Sequence, residues 1–367
     1  MWPVVAEGQG AADGDDPGPA DRGPGDVLRW RKRRYRCDGC GRTFTESHPQ
    51  LPTRQRVSAR FRTWLFDRVR GGAAHAEVAR EEHTTRYQVT RAFCAGAVEL
   101  EAGRGLRPVR RLSLDEAQRG PNQPLATVAS DLDARRVIEV LDGRSRRVVE
   151  RWLQGLADET RSAIEVIAID PYEAYRQAIH AHLPHATIVV DPFHMVRGAN
   201  TALDYVRRAR QRQARTGSHP KGARQAGALT WRRDLYNARR RLLKARERLT
   251  EQQRRQLAQL FAREPLIAEA WALKEAFRDV YRATDRNDAE QRLDAFLAAV
   301  ERAGLPSFTS FAAGVRLWRT ELLNYHYQPA TNGYAEGVIN KIKVTKRRAY
   351  GMPTFHGFRK RVLVVCG

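Results

Sequence analysis

The feature that most constrains this chain is a set of three short apolar runs, each of which ends on an aspartate. Asp115 follows RLSL, Asp170 follows IEVIAI and Asp191 follows ATIVV. Runs of β-branched and aliphatic residues predict strands, and the helical patterns VVERWLQGL and YEAYRQAIHAHL lie between them. A meander of three strands at the start, followed by this alternation, predicts an α/β domain with a mixed sheet.

The three aspartates are candidates for one shared site. Ligands of open α/β sheets bind in the crevice at the carboxyl ends of the strands, so carboxylates placed there are expected to converge. An aspartate after an apolar strand is also a common turn residue or helix N-cap. That alternative stays open for any one of the three.

The segment before this domain changes character abruptly. Residues 1–27 are rich in Gly, Pro, Asp and Ala, which predicts a disordered leader or sequence not native to the fold. Residues 28–53 alternate basic and aromatic side chains around Cys37 and Cys40, whose CxxC spacing suits two thiolates on one Zn²⁺. A structural zinc site needs four ligands, so the alternative is a β-turn with two free thiols. The four cysteines of the chain cannot build a disulfide scaffold and favour a reducing compartment.

Residues 54–103 are predicted to be helical. Val57, Phe61, Leu65 and Val69 recur at helical spacing. A short helix, a brief turn and a longer helix capped by a threonine are typical of a helix-turn-helix. The predicted base-contacting residues are Arg86, Gln88 and Arg91. A three-helix packing unit without DNA contact gives the same pattern.

The net charge narrows the choice of partner. The chain of 367 residues carries 65 Lys+Arg against 42 Asp+Glu, a formal charge of +23. Such an excess favours a polyanionic partner such as nucleic acid, because neutralised phosphates release counterions. Between Tyr205 and Arg248 there are 15 Lys or Arg against 2 acids, within a long stretch of amphipathic helical pattern. No apolar run approaches the roughly 18 residues of a membrane span, so a cytoplasmic, nucleoid-associated protein is expected.

A fourth acid, Glu336, stands in the segment NGYAEGVINKIKVTKRRAYG. Its neighbours Val338, Ile342 and Val344 form an apolar stripe. The same segment carries the cations Lys341, Lys343, Lys346, Arg347 and Arg348. A glutamate beside so many cations is ordinarily a solvated ion pair. Clustered carboxylates, however, are what two Mg²⁺ ions need for phosphoryl transfer, and nearby cations would offset their repulsion and hold a DNA backbone.

These segments together resemble the DDE-type transposases of bacterial insertion sequences, specifically the ISL3 group. The resemblance rests on Asp115-Glu116 after a strand, on IDPYEAYRQAIHAHLPHATIVVDPFHMVRGAN and on the Glu336 segment, and it covers about residues 28–367. It implies an RNase H-like mixed sheet with a large helical insertion, preceded by a zinc-knuckle-like segment and a helix-turn-helix. The implied division is 111–200 and 324–367 for the catalytic domain and 201–323 for the insertion.

The resemblance also implies roles for individual residues. Asp115, Asp170 and Glu336 match the catalytic, metal-binding acids. Asp191 and His194 match an Asp-Xaa-Xaa-His element beside the site, and a rival assignment makes Asp191 the second metal ligand. His194 could orient a carboxylate or approach the scissile phosphate, or could be a buried structural residue. Glu116 is expected on the opposite face of its strand.

The implied activity is Mg²⁺- or Mn²⁺-dependent cleavage of element ends and strand transfer into target DNA. The implied partners are double-stranded DNA, as terminal inverted repeats and target, and further copies of the chain. The alternatives are a non-catalytic DNA-binding protein or inactive remnant, and a nuclease acting on RNA or hybrids. The first CxxC of the family is absent, which weakens the zinc prediction. A displaced start or a frameshifted amino terminus would explain this absence, and the comparison with the family pattern predicts that a short carboxyl-terminal segment is missing.

Overall fold

The computed structural model describes residues 2–7, 27–51, 57–103, 108–120, 122–216, 223–349, 352 and 354–367. Its strands are β1 (Trp2–Glu7), β2 (Val27–Lys32), β3 (Arg34–Arg36), β4 (Thr43–Thr45), β5 (Arg111–Gln118), β6 (Leu125–Asp131), β7 (Arg136–Leu141), β8 (Val166–Ile169) and β9 (Thr187–Val190). Its α-helices are α1 (Ala59–Arg70), α2 (His75–Glu81), α3 (Arg86–Ala102), α4 (Arg146–Gln154), α5 (Asp158–Ala163), α6 (Glu173–His182), α7 (Pro192–Thr216), α8 (Ala223–Leu243), α9 (Glu251–Arg263), α10 (Pro265–Val280), α11 (Arg286–Ala303), α12 (Pro306–Leu317), α13 (Arg319–Leu323), α14 (Gly333–Arg348) and α15 (Phe355–Cys366).

The centre of the molecule is a five-stranded mixed sheet in the order β7-β6-β5-β8-β9. Strands β5, β6 and β7 form an antiparallel meander, whereas β8 and β9 run parallel to β5. The parallel pairs need crossovers, which α4 and α5 supply before β8 and α6 supplies between β8 and β9. The predicted mixed α/β sheet is confirmed, and its strand order is compatible with an RNase H-like fold.

One face of the sheet shares a single hydrophobic core with the helices that follow it. Leu114, Ile169 and Val190 lie on this face and belong to the same buried cluster as Phe277 on α10 and Phe308 on α12. These strand residues share one face because side chains alternate along a strand and every second one points to the same side of the sheet. The helices of the predicted insertion, residues 201–323, therefore share one core with the sheet, and α13 packs directly on β9.

The other face is covered by the last two helices. Val338, Ile339 and Ile342 on α14 pack with Val128 on β6 and Phe358 on α15. The stripe foreseen for α14 is correct at Val338 and Ile342 but wrong at Val344, whose side chain is 52% exposed. Val344 stands two residues after Ile342, and positions two apart do not share a face of a helix.

Helices α1, α2 and α3 form a three-helix cluster beside the sheet. Leu65, Val78 and Phe93 are buried in its core together with Val364 of α15, which joins the cluster to the sheet. Helices α1 and α3 approach closely at Gly96, where an added Cβ would lie 2.4 Å from a ring atom of Phe66. Glycine is therefore required at this crossing.

The amino-terminal segment differs from the sequence expectation at one point. Trp2–Glu7 lies within the segment expected to be disordered, yet it is a strand. It pairs antiparallel with Val27–Lys32, which begins at the last residue of that segment. Valines in WPVVAE favour a strand, and backbone pairing gives it a partner. Residues 8–26 of the predicted leader lie outside the described residues. Within the described ranges, no helix combines the length and apolar character that crossing a membrane would demand.

Candidate active site

Asp115, Asp170 and Asp191 lie side by side across the sheet. Asp170 and Asp191 follow the ends of β8 and β9, as predicted. The prediction that a strand ends at Asp115 is wrong, because β5 pairs with β6 as far as Gln118. Leu114 on β5 pairs with Ile169 on β8, and Ile169 pairs with Val190 on β9. Each partner is followed directly by an aspartate, so Asp115, Asp170 and Asp191 occupy the same register on three adjacent parallel strands. Neighbouring strands lie roughly 4.8 Å apart, which makes Asp170 the central member of the row.

The row faces the side of the sheet that α14 covers. Along β5, Leu114 belongs to the core of the opposite face and Ala117 to the α14 side, so the alternation places Asp115 on the α14 side. Glu116 points the other way, as predicted, and its carboxylate accepts from Arg144 Nη1 at 3.1 Å. The site is thus confined to one face of the sheet.

His194 binds two of the three aspartates. It lies in the first turn of α7, and its Nδ1 is 2.8 Å from Oδ1 of Asp170 and 3.1 Å from Oδ2 of Asp191. Hydrogen bonds to Asp170 and Asp191 raise the pKa of His194 to about 10, against the desolvation of its half-buried ring. The protonated ring therefore donates to both carboxylates and offsets their repulsion.

Asp115 titrates differently from an exposed aspartate. Its side chain is buried, and burial, followed by the negative charge of Asp170, raises the pKa of Asp115 to about 6. The amide of Glu116, which donates to Asp115 Oδ1 at 2.6 Å, and the charge of His194 act in the opposite direction. Asp115 thus has a raised pKa and lies beside two other carboxylates. A cation bound there would favour the ionised form of Asp115.

Asn332 belongs to the site, although the sequence analysis did not select it. It precedes α14 and is 1% exposed. Its backbone N–H donates to Asp191 Oδ1 at 3.1 Å, and its Nδ2 lies 3.4 Å from Asp170 Oδ1. The side-chain Oδ1 of Asn332 is buried and accepts no hydrogen bond from the described residues. The only sequence signal was the Asn-Gly pair at the helix start, which is typical of a turn.

Glu336 lies one helical turn after Asn332, on the same face of α14, since residues i and i+4 are neighbours on a helix. Its backbone N–H donates to the Asn332 carbonyl at 2.8 Å. The carboxylate is exposed, and the described residues offer it no hydrogen bond or ion pair. The structure thus brings the start of α14 to the aspartate row through Asn332 and leaves Glu336 exposed one helical turn further along α14.

The donor set fits a hard divalent cation. Carboxylate oxygens of Asp170 and Asp191 lie within 4.8 Å of each other and of a ring nitrogen of His194, which holds the two carboxylates together and is not itself counted as a ligand. Asp115 stands next to Asp170 in the row, and the unpartnered Oδ1 of Asn332 adds a further oxygen. Carboxylate and carbonyl oxygens are the ligands that Mg²⁺ and Mn²⁺ prefer. The Asp170, Asp191 and His194 group does not itself contain Asp115 or Glu336.

The two amino-terminal cysteines lie elsewhere, in the turn between β3 and β4. Cys37 N donates to Arg42 O at 2.8 Å, and Gly41 N donates to Cys37 O at 2.8 Å, which closes the turn. Hydrogen bonds from the backbone and side chain of Cys40 lower the pKa of the Cys37 thiol. Within the described ranges, no third Cys, His, Asp or Glu joins these thiols in a metal-binding group. Zinc binding stays a prediction.

The predicted base-contacting residues lie at the start of α3. Arg86 and Arg91 are exposed, whereas Gln88 is engaged in helix capping. Its Oε1 accepts from Thr85 N at 3.3 Å, and the Thr85 hydroxyl accepts from Gln88 N at 3.2 Å. This capping box, recognisable as Thr-Xaa-Xaa-Gln, fixes the start of the helix. A helix-turn-helix that reads DNA stays a prediction for this cluster.

The cations that follow Glu336 spread around α14. Lys343, Arg347 and Arg348 are exposed. Lys341 donates to the carbonyl of Val365 and Lys346 to the carbonyl of Gln118, so these two also hold α14 against its neighbours. The cationic run is therefore partly structural and partly a surface open to an anionic partner.

Comparison with known proteins identifies the family. The family model for DDE transposases of the ISL3 group, described as a transposase, matches residues 112–362. The transposase of insertion sequence element IS1001 from Bordetella parapertussis is 28% identical over 329 residues, which is 89% of this chain and 77% of that protein. The transposase of element IS1557 from Mycobacterium tuberculosis is 27% identical over 253 residues, 66% of this chain and 57% of that protein. The family match spans well over half of the chain, so this protein belongs to the ISL3 family of insertion-sequence transposases.

Proposed function

We propose that this transposase cleaves DNA at the ends of its element and joins the freed strand to target DNA in a reaction that depends on Mg²⁺ or Mn²⁺. The observation that carries the proposal is the row of Asp115, Asp170 and Asp191 at one register of the sheet, with the start of α14 hydrogen-bonded to it through Asn332. Family membership supplies the link between such a row and DNA.

We assign Asp115, Asp170 and Glu336 as the metal-binding acids. Asp115 and Asp170 are one strand apart, roughly 4.8 Å, whereas Asp115 and Asp191 are two strands apart. This spacing favours Asp170 over Asp191 as the partner of Asp115. Bound divalent metal would polarise the scissile phosphate and favour the ionised form of an attacking hydroxyl group.

Asp191 and His194 position Asp170. His194 donates to both aspartates, and Asp191 in turn accepts from the Asn332 amide, so the three side chains hold one another. Removing a contact of this kind to a metal ligand typically lowers metal affinity or activity about ten- to a hundredfold. Asn332 adds the tie between this group and the helix that carries Glu336.

The DNA surface in this proposal has two parts. Arg86 and Arg91 at the start of α3 contact the terminal repeat, and the exposed cations of α14 contact the backbone near the acids. Part of the Arg excess in the helical insertion serves the fold instead, because Asp204 pairs with Arg207 and Arg208 at 2.7 and 2.8 Å. Assembly of several copies on DNA and residence in the nucleoid belong to the same proposal.

The experiment is cleavage of an end-containing duplex with Mg²⁺ by the wild type and by Asp170→Asn. We expect the variant to lose cleavage and to keep its affinity for the duplex, measured by fluorescence anisotropy. Asp158→Asn on α5, whose side chain is 85% exposed, is the matched control and should cleave normally. Unchanged cleavage by Asp170→Asn contradicts the assignment. A wild type that binds the duplex but never cuts it supports the alternative of an inactive, DNA-binding remnant.

A further inference from the structure

A cleft of about 1130 Å³ lies between the three-helix cluster and the carboxyl-terminal helices. Helices α2 and α3 form one wall, and the turn after β5, the end of α14 and α15 form the other. Its cationic lining comes from Arg86, Arg119, Lys346, Arg347, Lys360 and Arg361, and none of the described residues that line it is acidic. A cleft of one charge sign concentrates ions of the opposite sign.

Arg361 is the most unusual of these cations. It is 4% exposed, and its Nη2 donates to the Ala73 carbonyl at 2.6 Å while its Cζ lies 5.5 Å from the centre of the Phe93 ring. Its Nε is buried and donates to no described residue. Across the described part of the chain no carboxylate lies within ion-pairing distance of it. A buried charge without a counter-ion is costly to a fold unless something compensates for it.

The pKa values of two neighbouring groups are lowered by the same excess of positive charge. Burial, with the nearby charges of Arg361 and Arg86, lowers the pKa of His75 to about 4. Burial together with Lys343 and Arg347 lowers the pKa of Lys346. The Nε2 atom of His75 is also buried without a partner. Lys346 donates to the Gln118 carbonyl and Arg119 pairs with Asp142 at 2.7 Å, whereas Arg361 Nε and His75 Nε2 have no partner among the described residues.

The cleft also lies on the path between two parts of the proposed DNA surface. Arg86, a proposed base-contacting residue, lines it on one side. Lys346, on the other side, follows Glu336 by ten residues of α14, which is about 15 Å along the helix axis. At roughly 3.4 Å per base pair this distance corresponds to about four or five base pairs of duplex.

We propose that this cleft binds the sugar-phosphate backbone of duplex DNA between the three-helix cluster and the catalytic acids, with Arg361 as its buried phosphate-binding residue. The inference rests on the proposed function, because it takes the duplex that is cut as the occupant. It adds a contact that is independent of base sequence and that fixes the spacing between recognition and cleavage.

The test is the salt dependence of binding to a random-sequence duplex, measured by fluorescence anisotropy on the full chain. Each phosphate contact contributes about 0.9 to the slope of log K against log salt concentration. Arg361→Gln should therefore reduce the slope by about one and weaken binding about tenfold at low salt. Lys360→Gln on the same wall should act in the same direction. Arg255→Gln on α9, whose side chain is 77% exposed, removes the same charge away from the cleft and should leave the slope unchanged.

Thermal unfolding of the free protein separates binding from folding. Replacing an unpaired buried cation with a neutral side chain should leave the Tm of Arg361→Gln unchanged or higher, and saturating duplex should raise that Tm less than it raises the wild-type Tm. A lower Tm together with an unchanged salt slope would make Arg361 a structural residue and overturn the inference. Should Arg361→Gln fail to fold, an unchanged slope in Lys360→Gln overturns it as well.

Two further outcomes distinguish the inference from the proposed function. If the wild type cleaves end DNA and both cleft variants keep the wild-type slope, the inference fails and the proposed function stands. If the slope falls in the variants but the wild type never cleaves, the cleft binds DNA and the proposed function fails. If inorganic phosphate raises the wild-type Tm while duplex affinity does not depend on Arg361, the cleft takes a small anion and the DNA assignment is wrong.

Discussion

The backbone N–H of Asn332 donates a hydrogen bond to Oδ1 of Asp191 at 3.1 Å across 141 residues of sequence. This bond joins the helix that carries Glu336 to the strand that ends at Asp191. It is the point where the two ends of the α/β domain, separated by helices α7 to α13, meet at the aspartate row.

Replacing Asn332 by alanine should slow cleavage about ten- to a hundredfold. The variant loses the amide contact to the Asp170 carboxylate, and hydrogen bonds to charged groups contribute about 1.5–3 kcal/mol. Because the loss loosens Asp170, the Mg²⁺ concentration that gives half-maximal cleavage should rise as well. Asn340→Ala, on an exposed position of α14, is the control. Equal Mg²⁺ dependence in Asn332→Ala and wild type would show that Asn332 does not position the site.

Asp170→Asn and Asp191→Asn should differ in severity. If Asp170 is the ligand that pairs with Asp115, its variant loses at least about a thousandfold in rate. Asp191→Asn, which removes a positioning contact to His194, should lose about ten- to a hundredfold. Single-turnover cleavage rates at saturating Mg²⁺ measure both. The reverse order would make Asp191 the second metal ligand, as the rival assignment holds.

Gly96→Ala should destabilise the three-helix cluster by about 1–3 kcal/mol, because the new Cβ would lie 2.4 Å from the Phe66 ring. Gly314→Ala on α12 is the matched control, since no atom lies within 4 Å of its added Cβ. Alanine is the better helix former, so this control should gain up to about 1 kcal/mol. Denaturant titration compares the two, and equal effects would contradict the close approach of α1 and α3.

His75 should make the protein less stable in mild acid. Its pKa is lowered to about 4 in the fold, while the unfolded chain binds this proton near pH 6.5. Between these values the unfolded state holds more protons, so stability falls as the pH decreases from 6.5 toward 4. The free energy of unfolding falls by roughly 1 kcal/mol at pH 5. This is less than the full pKa shift of His75 implies, because the ring is partly exposed to solvent.

The comparison of His75→Gln with the exposed His185→Gln tests this dependence. The Tm of His75→Gln should fall less than that of the wild type between pH 7 and pH 5, whereas His185→Gln should follow the wild type. Parallel curves for all three proteins would show that His75 is not buried in its neutral form.

The sheet and its aspartates were predictable because their signals are local. The apolar runs before Asp170 and Asp191 predict β8, β9 and their ends, and parallel strands bring those ends to one edge. The run before Asp115 predicts a strand but not where it ends, because β5 continues to Gln118. The alternation along β5 likewise predicts that Glu116 faces away. These inferences need only the sequence within a few residues of each position.

The remaining features depend on contacts between distant segments. Asn332 looked like a turn residue because nothing near it in sequence indicates its bonds to Asp170 and Asp191. The burial of Arg361 against Ala73 depends on the docking of α15 onto the three-helix cluster, which no local pattern specifies. Gln88 was interpreted as a base-contacting residue, although the capping box with Thr85 was already visible in the sequence.

Cleavage of end-containing DNA by Asp115→Asn in Mg²⁺ tests whether carboxylate-bound metal drives the reaction. Asp115 is buried beside Asp170, and its variant keeps the shape of the side chain while removing its charge. We predict that the wild type cleaves only when a divalent cation is present and that Asp115→Asn is at least about a thousandfold slower with the same duplex affinity. Cleavage by the wild type in EDTA, or cleavage by Asp115→Asn at the wild-type rate, would contradict a metal-dependent role for the aspartate row.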